Sequence, residues 1–424
     1  DVCSSDLSIP PMSFAQNCVS GAVSALNAGG RALRRLGVEP PSLDVEHLRR
    51  AAFRRAGSSE LGAWDFAEPL ERLLKSYHDE ADLTTLGRIT VRELLVSLLE
   101  NLALMERERV ANPAVERQEI TAPVFIVGLP RTGTTHLHGM ISQDPANRAP
   151  FTWEVMYPAA PVATQRDIDR ARTQTDARLG WANRLAPEFM RIHPIAADLP
   201  QECIAITAQV FMSIQFHTTH NVPSYQDWFE EAPQTLGWDF HRRLLQHLQA
   251  KRPGDRWVLK APGHLFALEG LLQRYPDARV IHTHRDPLRV MASMASHATV
   301  LRRAFSDRAD PRQIAADWAD RWARALDRFL ATRDRAPQHQ FLDVDFDAIE
   351  KDPLGTIERV YDFLGWPLGP EGRAAINAFL AANPKNKHGV HRYTLEQFGL
   401  SRAAEAARFR SYCERFGIAL RSER

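Results

Sequence analysis

The sequence predicts an α/β fold, in which helices flank a mainly parallel sheet and a helical region precedes that sheet. Four apolar runs have the length and composition of buried strands: 124–127, 257–259, 280–283 and 341–344. Stretches with helical periodicity separate these runs. Strands that alternate with helices usually lie parallel in one sheet, so the order of the runs predicts such a sheet.

The N-terminal helical region is predicted to cover residues 1–120. Within it, apolar residues recur at helical spacing from about residue 43 to residue 116. Thr90 and Glu93 have the spacing of a capping box in front of a leucine-rich stretch. This spacing indicates that a helix begins at Thr90.

The α/β domain is predicted to cover residues 121–424. Residues 151–249 combine many prolines and aromatic residues with mixed periodicity, and we interpret them as an insertion that covers the active face. A helix is predicted over 314–333, because its large apolar residues fall on one face. These residues are Ile314, Trp318, Trp322, Leu326 and Phe329.

The composition excludes several classes of protein. Of the 424 residues, 44% are hydrophobic and 25% are charged, which argues against extensive disorder. The net charge of +1 provides no overall attraction to nucleic acid or to an anionic membrane. The four cysteines form no CxxC pair, and no apolar run has the length of a membrane span. We therefore expect a cytoplasmic protein with no membrane span, no secretion signal and no nucleic-acid partner.

An anion-binding loop is predicted between the first strand and the helix that follows it. Gly128 and Gly133 have the GxxxxG spacing of a P-loop, in which backbone N–H groups and a helix N-terminus converge on an anion. The fold is therefore expected to be P-loop-like. An ATPase loop would have a lysine where Thr134 stands, whereas here Arg131 offers a cationic fork that suits phosphate or sulfate oxygens. The alternative interpretation is an ordinary strand-to-helix turn with a solvated arginine.

Two further cationic residues follow predicted strands. Arg285 stands at the end of an apolar strand, and Ser293 lies eight residues further on, so that together they could hold a second phosphate. Lys260 follows another strand and is expected at the same edge of the sheet. The plainer alternatives are a surface pair between Arg285 and Asp286, and an ordinary lysine at the end of a strand.

In this order, the three segments resemble sulfotransferases that use 3′-phosphoadenosine 5′-phosphosulfate (PAPS), especially the bacterial branch with a Pro-Arg-x-Gly-Thr-Thr loop. The resemblance covers roughly residues 123–400. It implies that PAPS is the donor, that Arg285 and Ser293 bind its 3′-phosphate, and that Lys260 contacts the transferring group or its bridging oxygen. It also implies that six loop residues bind the 5′-phosphosulfate: Pro130, Arg131, Thr132, Gly133, Thr134 and Thr135.

The resemblance also bears on the reaction. A sulfuryl group carries less charge than a phosphoryl group, so positioned cations such as Arg131 and Lys260 are expected to suffice without a metal ion. This chain departs from the family at Phe346, where many relatives have tyrosine. Its Lys387-His-Gly389 segment stands in place of Arg-Lys-Gly.

The acceptor hydroxyl needs a group that takes its proton, and four residues are candidates. Glu154 is placed first, because a related tyrosylprotein branch has its glutamate base at about this position after the loop helix. Glu202 is placed second, in a segment typical of the bacterial branch, and His193 and His264 are the other two candidates. The alternative for either glutamate is a surface or helix-capping carboxylate.

Closely spaced histidines allow a metal site to be considered. His217 and His220 form one pair, and His282 and His284 form another, but neither pair lies in an HExxH motif or near a cysteine pair. We therefore predict packing histidines and no metal site.

The predicted function is sulfuryl transfer from PAPS to a hydroxyl of a small hydrophobic acceptor. The apolar stretch 209–216, together with Tyr225 and Trp228, could line the acceptor pocket, although such a stretch is more often plain core. Two alternatives stay open: a P-loop kinase or NTPase with a degenerate loop, and a nucleotide-binding protein without catalytic activity. The missing loop lysine counts against a kinase or NTPase.

Overall fold

The computed structural model describes residues 21–185, 195–254, 256–383 and 393–421, with only the backbone described over 181–185. The strands in this part of the chain are β1 (Val124–Gly128), β2 (Asn147–Arg148), β3 (Arg256–Lys260), β4 (Arg279–His284) and β5 (Phe341–Asp345). They form one sheet in the order β2-β3-β1-β4-β5, and every neighbouring pair is parallel. The four predicted strands and the mainly parallel sheet are confirmed. The two-residue strand β2 was not predicted, because it is too short to show a pattern.

The central strand β1 is buried on both faces of the sheet. Val124 and Ile126 pack into one apolar cluster, and Phe125 and Val127 pack into another on the opposite face. A strand covered on both sides has apolar residues at every position, which explains why the sequence shows a continuous apolar run here.

Helices make up most of the rest of the described chain. Before the sheet lie α1 (Gly21–Arg35), α2 (Val45–Ala56), α3 (Ala67–Asp79) and α4 (Thr85–Ala111). Between β1 and β3 lie α5 (Thr134–Ile141), α6 (Thr152–Met156), α7 (Gln165–Leu185), α8 (Cys203–Thr207), α9 (Gln215–Thr219), α10 (Pro223–Glu231) and α11 (Thr235–Lys251). After β3 come α12 (Leu268–Arg274), α13 (Pro287–Phe305), α14 (Pro311–Arg335), α15 (Phe346–Lys351), α16 (Pro353–Leu364), α17 (Pro370–Ala382), α18 (Arg402–Arg408) and α19 (Arg410–Phe416).

Short 3₁₀ helices connect several of these elements, at Pro113–Arg117, Ala208–Val210, Pro262–Phe266, Gln338–Gln340 and Glu396–Phe398. None of the helices in the described part of the chain is long and apolar enough to cross a membrane. The predicted helix over 314–333 is confirmed as α14, and its predicted apolar face is buried.

The prediction of a helix start at Thr90 was wrong. Helix α4 begins at Thr85, and the side chain of Thr84 caps it by accepting a 3.0 Å hydrogen bond from the Gly87 N–H. Thr84 also donates its N–H to the carbonyl of Phe305 at 2.9 Å. Thr90 lies inside the helix, where its hydroxyl donates to the carbonyl of Gly87. A contact with a distant residue therefore fixes the start, and local spacing could not show this.

The N-terminal helices share a core with the sheet. Leu48, Leu95 and Leu99 belong to the same apolar cluster as Phe125 and Val127 on β1. The predicted boundary at residue 120 falls between α4 and β1, and the predicted insertion falls between β2 and β3. Both divisions remain predictions about domain organisation.

Candidate active site

The loop from Gly128 to Gly133 connects β1 to α5, and its backbone is confined by close neighbours. Gly128 (φ 156°), Arg131 (φ 66°) and Gly133 (φ 87°) all have positive φ angles. A Cβ atom at Gly128 would lie 2.4 Å from the Thr283 hydroxyl oxygen and 2.6 Å from the Thr283 carbonyl oxygen, so only glycine fits there. Backbone that alternates between right- and left-handed residues before a helix is typical of concavities that bind anions.

The threonines of the loop have different environments. Thr132 is fully buried, and its hydroxyl donates to the Leu129 carbonyl at 2.7 Å and lies 2.6 Å from the Thr283 hydroxyl. This side chain closes the loop against β4, so that any contact of Thr132 with a ligand must come through its backbone. Thr134 is the buried first residue of α5, whereas Thr135 is exposed at the start of the helix.

On the β3 side of the loop, Lys260 and Glu202 form a buried ion pair. Lys260 is the last residue of β3 and is 1% exposed, and its Nζ contacts Oε1 of Glu202. The same Nζ donates to Oγ1 of Thr135 at 3.2 Å. A lysine at a strand end, a carboxylate from the region between β2 and β3, and a hydroxyl of the loop helix therefore meet at one point.

The segment before α8 brings Glu202 to this point. Pro200 pairs with Phe151 in an isolated antiparallel bridge, and the N–H of Gln201 donates to the Pro150 carbonyl at 2.7 Å. Glu202 is the N-cap residue of α8, so the helix starts with its carboxylate next to Lys260.

On the β4 side of the loop, Arg285 follows the end of the strand. Its Nη1 donates to the carbonyl of Arg131 at 2.6 Å, and its guanidinium lies 3.8 Å from the centre of the Phe346 ring. Burial, together with the nearby positive charge of Arg131, lowers the pKa of Arg285 to about 10. The group is still protonated at neutral pH but poorly solvated, and an anion beside it would be favourable. The Phe346 ring supports this arginine.

Lys260 thus contacts the first turn of α5, and Arg285 contacts the loop that leads into it. The register explains this arrangement, because β1 lies between β3 and β4 and all three strands run in the same direction. Residues at the carboxyl ends of parallel strands meet at one edge of the sheet. The predicted convergence of the loop with Lys260 and Arg285 is therefore present in the structure.

Ser293 and the remaining loop positions complete the placement of the predicted binding residues. Ser293 is half-buried in the second turn of α13, the helix that begins just after Arg285. Pro130 is half-buried and Arg131 exposed on the loop. The candidate base His193 and the segment 387–389 lie outside the described residues.

Glu154 is held in a separate network of hydrogen bonds. Arg148 donates to both of its carboxylate oxygens, at 2.6 and 2.9 Å, and Arg252 donates to one of them at 3.0 Å. The backbone N–H of Phe151 donates to Oε2 at 2.9 Å, so that Glu154 caps the start of α6. Both oxygens of this buried carboxylate are therefore occupied, whereas Glu202 contacts Lys260.

His264 is packed among aromatic rings. Its ring stacks on Trp238 at 5.2 Å and meets Phe125 edge-on at 5.3 Å. Burial holds its pKa well below the ordinary value, so the ring is neutral. With Cys203 and Trp238 it lines a cavity of about 30 Å³, which has room for one or two water molecules.

The first histidine pair makes unrelated contacts. His217 lies 2.7 Å from an oxygen of Asp317, and His220 lies 3.1 Å from the hydroxyl of Tyr77. Burial lowers the pKa of each histidine to about 3. These environments are typical of packing histidines.

The second pair has the arrangement of a candidate metal centre. The ligand atoms of His282, His284 and Asp343 all lie within 4.8 Å of one another. However, the guanidinium of Arg333 donates to both carboxylate oxygens of Asp343 at 2.7 Å. The positive charge of Arg333 already neutralises Asp343. These side chains therefore fit a hydrogen-bond network better than a metal site.

Two features of the site were not predicted from the sequence. One is the contact between Phe346 and Arg285, and the other is the bridge between Phe151 and Pro200 that supports Glu202. Phe346 was noted only as a departure from the family pattern, and its position directly after β5 was the available signal. No local signal indicates that Pro200 pairs with Phe151.

Comparison with known proteins gives consistent results. Residues 123–370 match the model of the sulfotransferase family, a span that contains the loop, Glu202, Lys260 and Arg285. Sulfotransferase STF1 from Mycobacterium tuberculosis H37Rv has a similar structure, with a TM-score of 0.78, 34% identity, and coverage of 87% of this chain and 98% of that chain. Sulfotransferase STF9 from Mycobacterium avium has a TM-score of 0.78 and 25% identity, with coverage of 91% and 100%. Omega-hydroxy-beta-dihydromenaquinone-9 sulfotransferase Stf3 from Mycobacterium bovis is 25% identical over 287 residues, which cover 65% of this chain and 71% of the relative.

Proposed function

The chain belongs to the sulfotransferase family, and from this premise we propose that it transfers a sulfuryl group from PAPS to a hydroxyl group of a small hydrophobic acceptor. One observation carries the proposal: Lys260 contacts Thr135 in the first turn of α5, and Arg285 contacts the carbonyl of Arg131 in the loop that precedes this helix. PAPS has an anionic group at each end of its ribose, and two cationic positions beside one anion-binding loop match that distribution of charge.

The residues present fit such a donor. We assign the 5′-phosphosulfate to the loop backbone, the N-terminus of α5, Arg131 and Thr135, which offer N–H, guanidinium and hydroxyl donors. We assign the 3′-phosphate to Arg285 and Ser293. The lowered pKa of Arg285 supports this assignment, because a poorly solvated cation gains more from a bound anion than a solvated one does.

The donor supplies a sulfuryl group, whose bond to the 5′-phosphate oxygen breaks as the acceptor oxygen bonds to sulfur. Lys260 stabilises the negative charge that develops on that phosphate oxygen. Glu202 takes the proton of the acceptor hydroxyl. The loop and Arg131 hold the reacting groups in line, which provides the positional part of catalysis.

We propose Glu202, rather than Glu154, as the general base. Glu202 contacts Lys260, the lysine assigned to the transferring group, whereas both oxygens of Glu154 accept hydrogen bonds from Arg148, Arg252 or the backbone. Each oxygen of Glu154 already accepts two hydrogen bonds, so this carboxylate has no lone pair available for a further proton.

The hydrophobic character of the acceptor is supported by the relatives. The name of Stf3 specifies a hydroxylated menaquinone derivative, which is a hydrophobic alcohol. The stretch 209–216 supports the proposal less, because most of it is core. The Tyr225 hydroxyl donates to the carbonyl of Phe211, and Met212 and Ile214 line the small cavity beside His264.

Ligand-induced stabilisation tests the choice of donor. We expect adenosine 3′,5′-bisphosphate, without magnesium, to stabilise the protein by about 2.7 kcal/mol when present at a hundred times its Kd. ATP with magnesium is expected to stabilise it far less. Thermal unfolding with each nucleotide provides the measurement. Stabilisation by ATP and magnesium alone would favour the kinase or NTPase, and bisphosphate binding without transfer from labelled PAPS to any hydroxylated acceptor would favour the non-catalytic alternative.

Replacing Arg285 with alanine is expected to raise the Kd for adenosine 3′,5′-bisphosphate by about 10- to 100-fold, the effect of removing hydrogen bonds to a charged group. Calorimetric titration would measure the Kd. Arg279→Ala is a matched control, because Arg279 lies at the other end of β4 and also contacts a carbonyl, that of His339, and an aromatic ring, that of Phe363. An equal loss of affinity in both variants would contradict the assignment of Arg285.

A further inference from the structure

A pair of buried hydroxyl groups links the loop after β1 to the neighbouring strand β4. The hydroxyl oxygens of Thr132 in the loop and Thr283 in β4 lie 2.6 Å apart, and both residues are fully buried. Thr132 has a single hydroxyl proton, which it donates to the carbonyl of Leu129 at 2.7 Å. Its oxygen therefore accepts a hydrogen bond from the hydroxyl of Thr283. The side chain of Thr283 thus connects the loop to the sheet.

The strand register explains why Thr283 reaches the loop. Thr283 lies opposite Gly128 in the parallel ladder between β1 and β4. A Cβ atom at Gly128 would lie 2.4 Å from the hydroxyl oxygen of Thr283 and 2.9 Å from that of Thr132. Both oxygens therefore occupy the space that a side chain at position 128 would need, and the glycine allows the two hydroxyl groups to meet there.

The loop depends on such contacts because its backbone is strained at Arg131. This residue has a φ angle of 66°, in the left-handed region that is unfavourable for a residue with a Cβ atom. A strained backbone persists only where the surrounding structure holds it. The carbonyl of Arg131 accepts a hydrogen bond from Arg285, and the next residue, Thr132, bonds to Thr283. The end of β4 therefore holds two consecutive residues of the loop.

The position of the loop backbone determines how well it can bind an anion. Hydrogen bonds from backbone N–H groups are directional, so these groups bind an anion best when they already converge on its position. A loop that is ordered before the ligand arrives also loses less conformational entropy on binding. The contact between Thr132 and Thr283 can therefore affect a ligand that neither side chain touches.

We propose that Thr283 is a positioning residue for the 5′-phosphosulfate of the donor, because its hydroxyl holds the loop in the conformation that binds this group. The inference rests on the proposed function. Thr283 acts on the loop, to which the 5′ end of the nucleotide is assigned. Loss of its hydroxyl should therefore weaken every nucleotide with a 5′-phosphate, whether or not a 3′-phosphate is also present.

The test compares Thr283→Ala with Thr283→Ser. Both variants lose the methyl group of threonine, and they differ only in the hydroxyl. We expect Thr283→Ala to have a Kd for adenosine 3′,5′-bisphosphate about 3- to 10-fold higher than that of Thr283→Ser, the effect of about one hydrogen bond. The Kd for adenosine 5′-phosphate, which has no 3′-phosphate, is expected to differ by the same factor. Calorimetric titration would measure both values.

Thr299→Ala provides the matched control. Thr299 is also buried, and its hydroxyl donates to the carbonyl of Ala295 at 2.7 Å within α13. This variant loses a threonine hydroxyl of similar burial outside the loop, and we expect both of its Kd values to equal those of the wild type. If Thr283→Ala does not fold, Thr132→Ala and Thr132→Ser serve instead, because they remove or keep the other hydroxyl of the pair.

Equal Kd values in the alanine and serine variants would overturn the proposal, because the hydroxyl would then have no effect. Weaker binding of the bisphosphate alone would also overturn it, and so would an equal weakening in Thr299→Ala, which a general loss of stability produces. Failure of the proposed function would be visible separately, because the wild-type protein would then not prefer the bisphosphate to adenosine 5′-phosphate.

Discussion

Replacing Lys260 with alanine is expected to reduce kcat for sulfuryl transfer by about 10²- to 10³-fold, the cost of removing one preorganised donor from a developing oxyanion. The lysine lies at the end of β3 next to the loop helix, where it contacts Thr135 and Glu202. Binding of adenosine 3′,5′-bisphosphate is expected to change little, because the proposed binding mode assigns the nucleotide to the loop backbone and Arg285. Single-turnover transfer of label from PAPS and calorimetric titration of the bisphosphate would measure the two effects separately.

Lys251→Ala is the matched control for this variant. Lys251 lies at the end of α11 and pairs with Glu108, outside the candidate site. The Lys260 variant leaves the buried carboxylate of Glu202 without its lysine, so its Tm is expected to fall, and activity should be measured well below that temperature. Full turnover in folded Lys260→Ala protein would show that the lysine has no catalytic role.

The second large effect is expected for Glu202→Gln. The amide keeps the size of the side chain and can still accept a hydrogen bond from Lys260, but it cannot take a proton from the acceptor. Loss of a general base typically costs about 10²- to 10⁴-fold in rate, and we expect a decrease of this size in kcat. The pH–rate profile of the wild type should also lose its acidic limb in the variant, because that limb reports protonation of the base.

Glu154→Gln should behave differently. Its carboxylate sits between Arg148 and Arg252, so the substitution is expected to lower the Tm through the loss of a buried ion pair while the transfer rate is retained. Measuring the Tm and kcat of both variants decides between the two glutamates. Retained turnover in Glu202→Gln, with turnover lost in Glu154→Gln at an unchanged Tm, would reverse the assignment of the base.

The parts of the site that could be predicted are those attached to buried strands. A strand covered on both faces has a continuous apolar run, and in a parallel sheet the residues that follow such runs reach the same edge. The loop, Lys260 and Arg285 were placed together on this basis. The edge strand β2 and the start of α4 escaped prediction, because a two-residue strand has no period and a contact with Phe305 has no local trace.

The ranking of Glu154 and Glu202 shows the limit of local patterns. Both glutamates precede or begin short helices, and the sequence does not show that Arg148 and Arg252 converge on one of them while Lys260 meets the other. The contact between the hydroxyl of Tyr412 and the ring of His284 is another example, because 128 residues separate the two in the sequence. Such contacts join residues that are far apart in the sequence. They depend on the tertiary fold, so a short stretch of sequence does not reveal them.

The ion pair between Lys260 and Glu202 has a consequence for the kinetic scheme. While they neutralise each other, neither Glu202, the proposed base, nor Lys260, the proposed stabiliser of the leaving oxygen, is fully available. In the proposed mechanism, we expect a sulfonate that arrives beside Lys260 to compete for its charge and to release Glu202, so that bound PAPS makes this carboxylate available to the acceptor alcohol. We therefore expect ordered addition, with the nucleotide entering ahead of the alcohol.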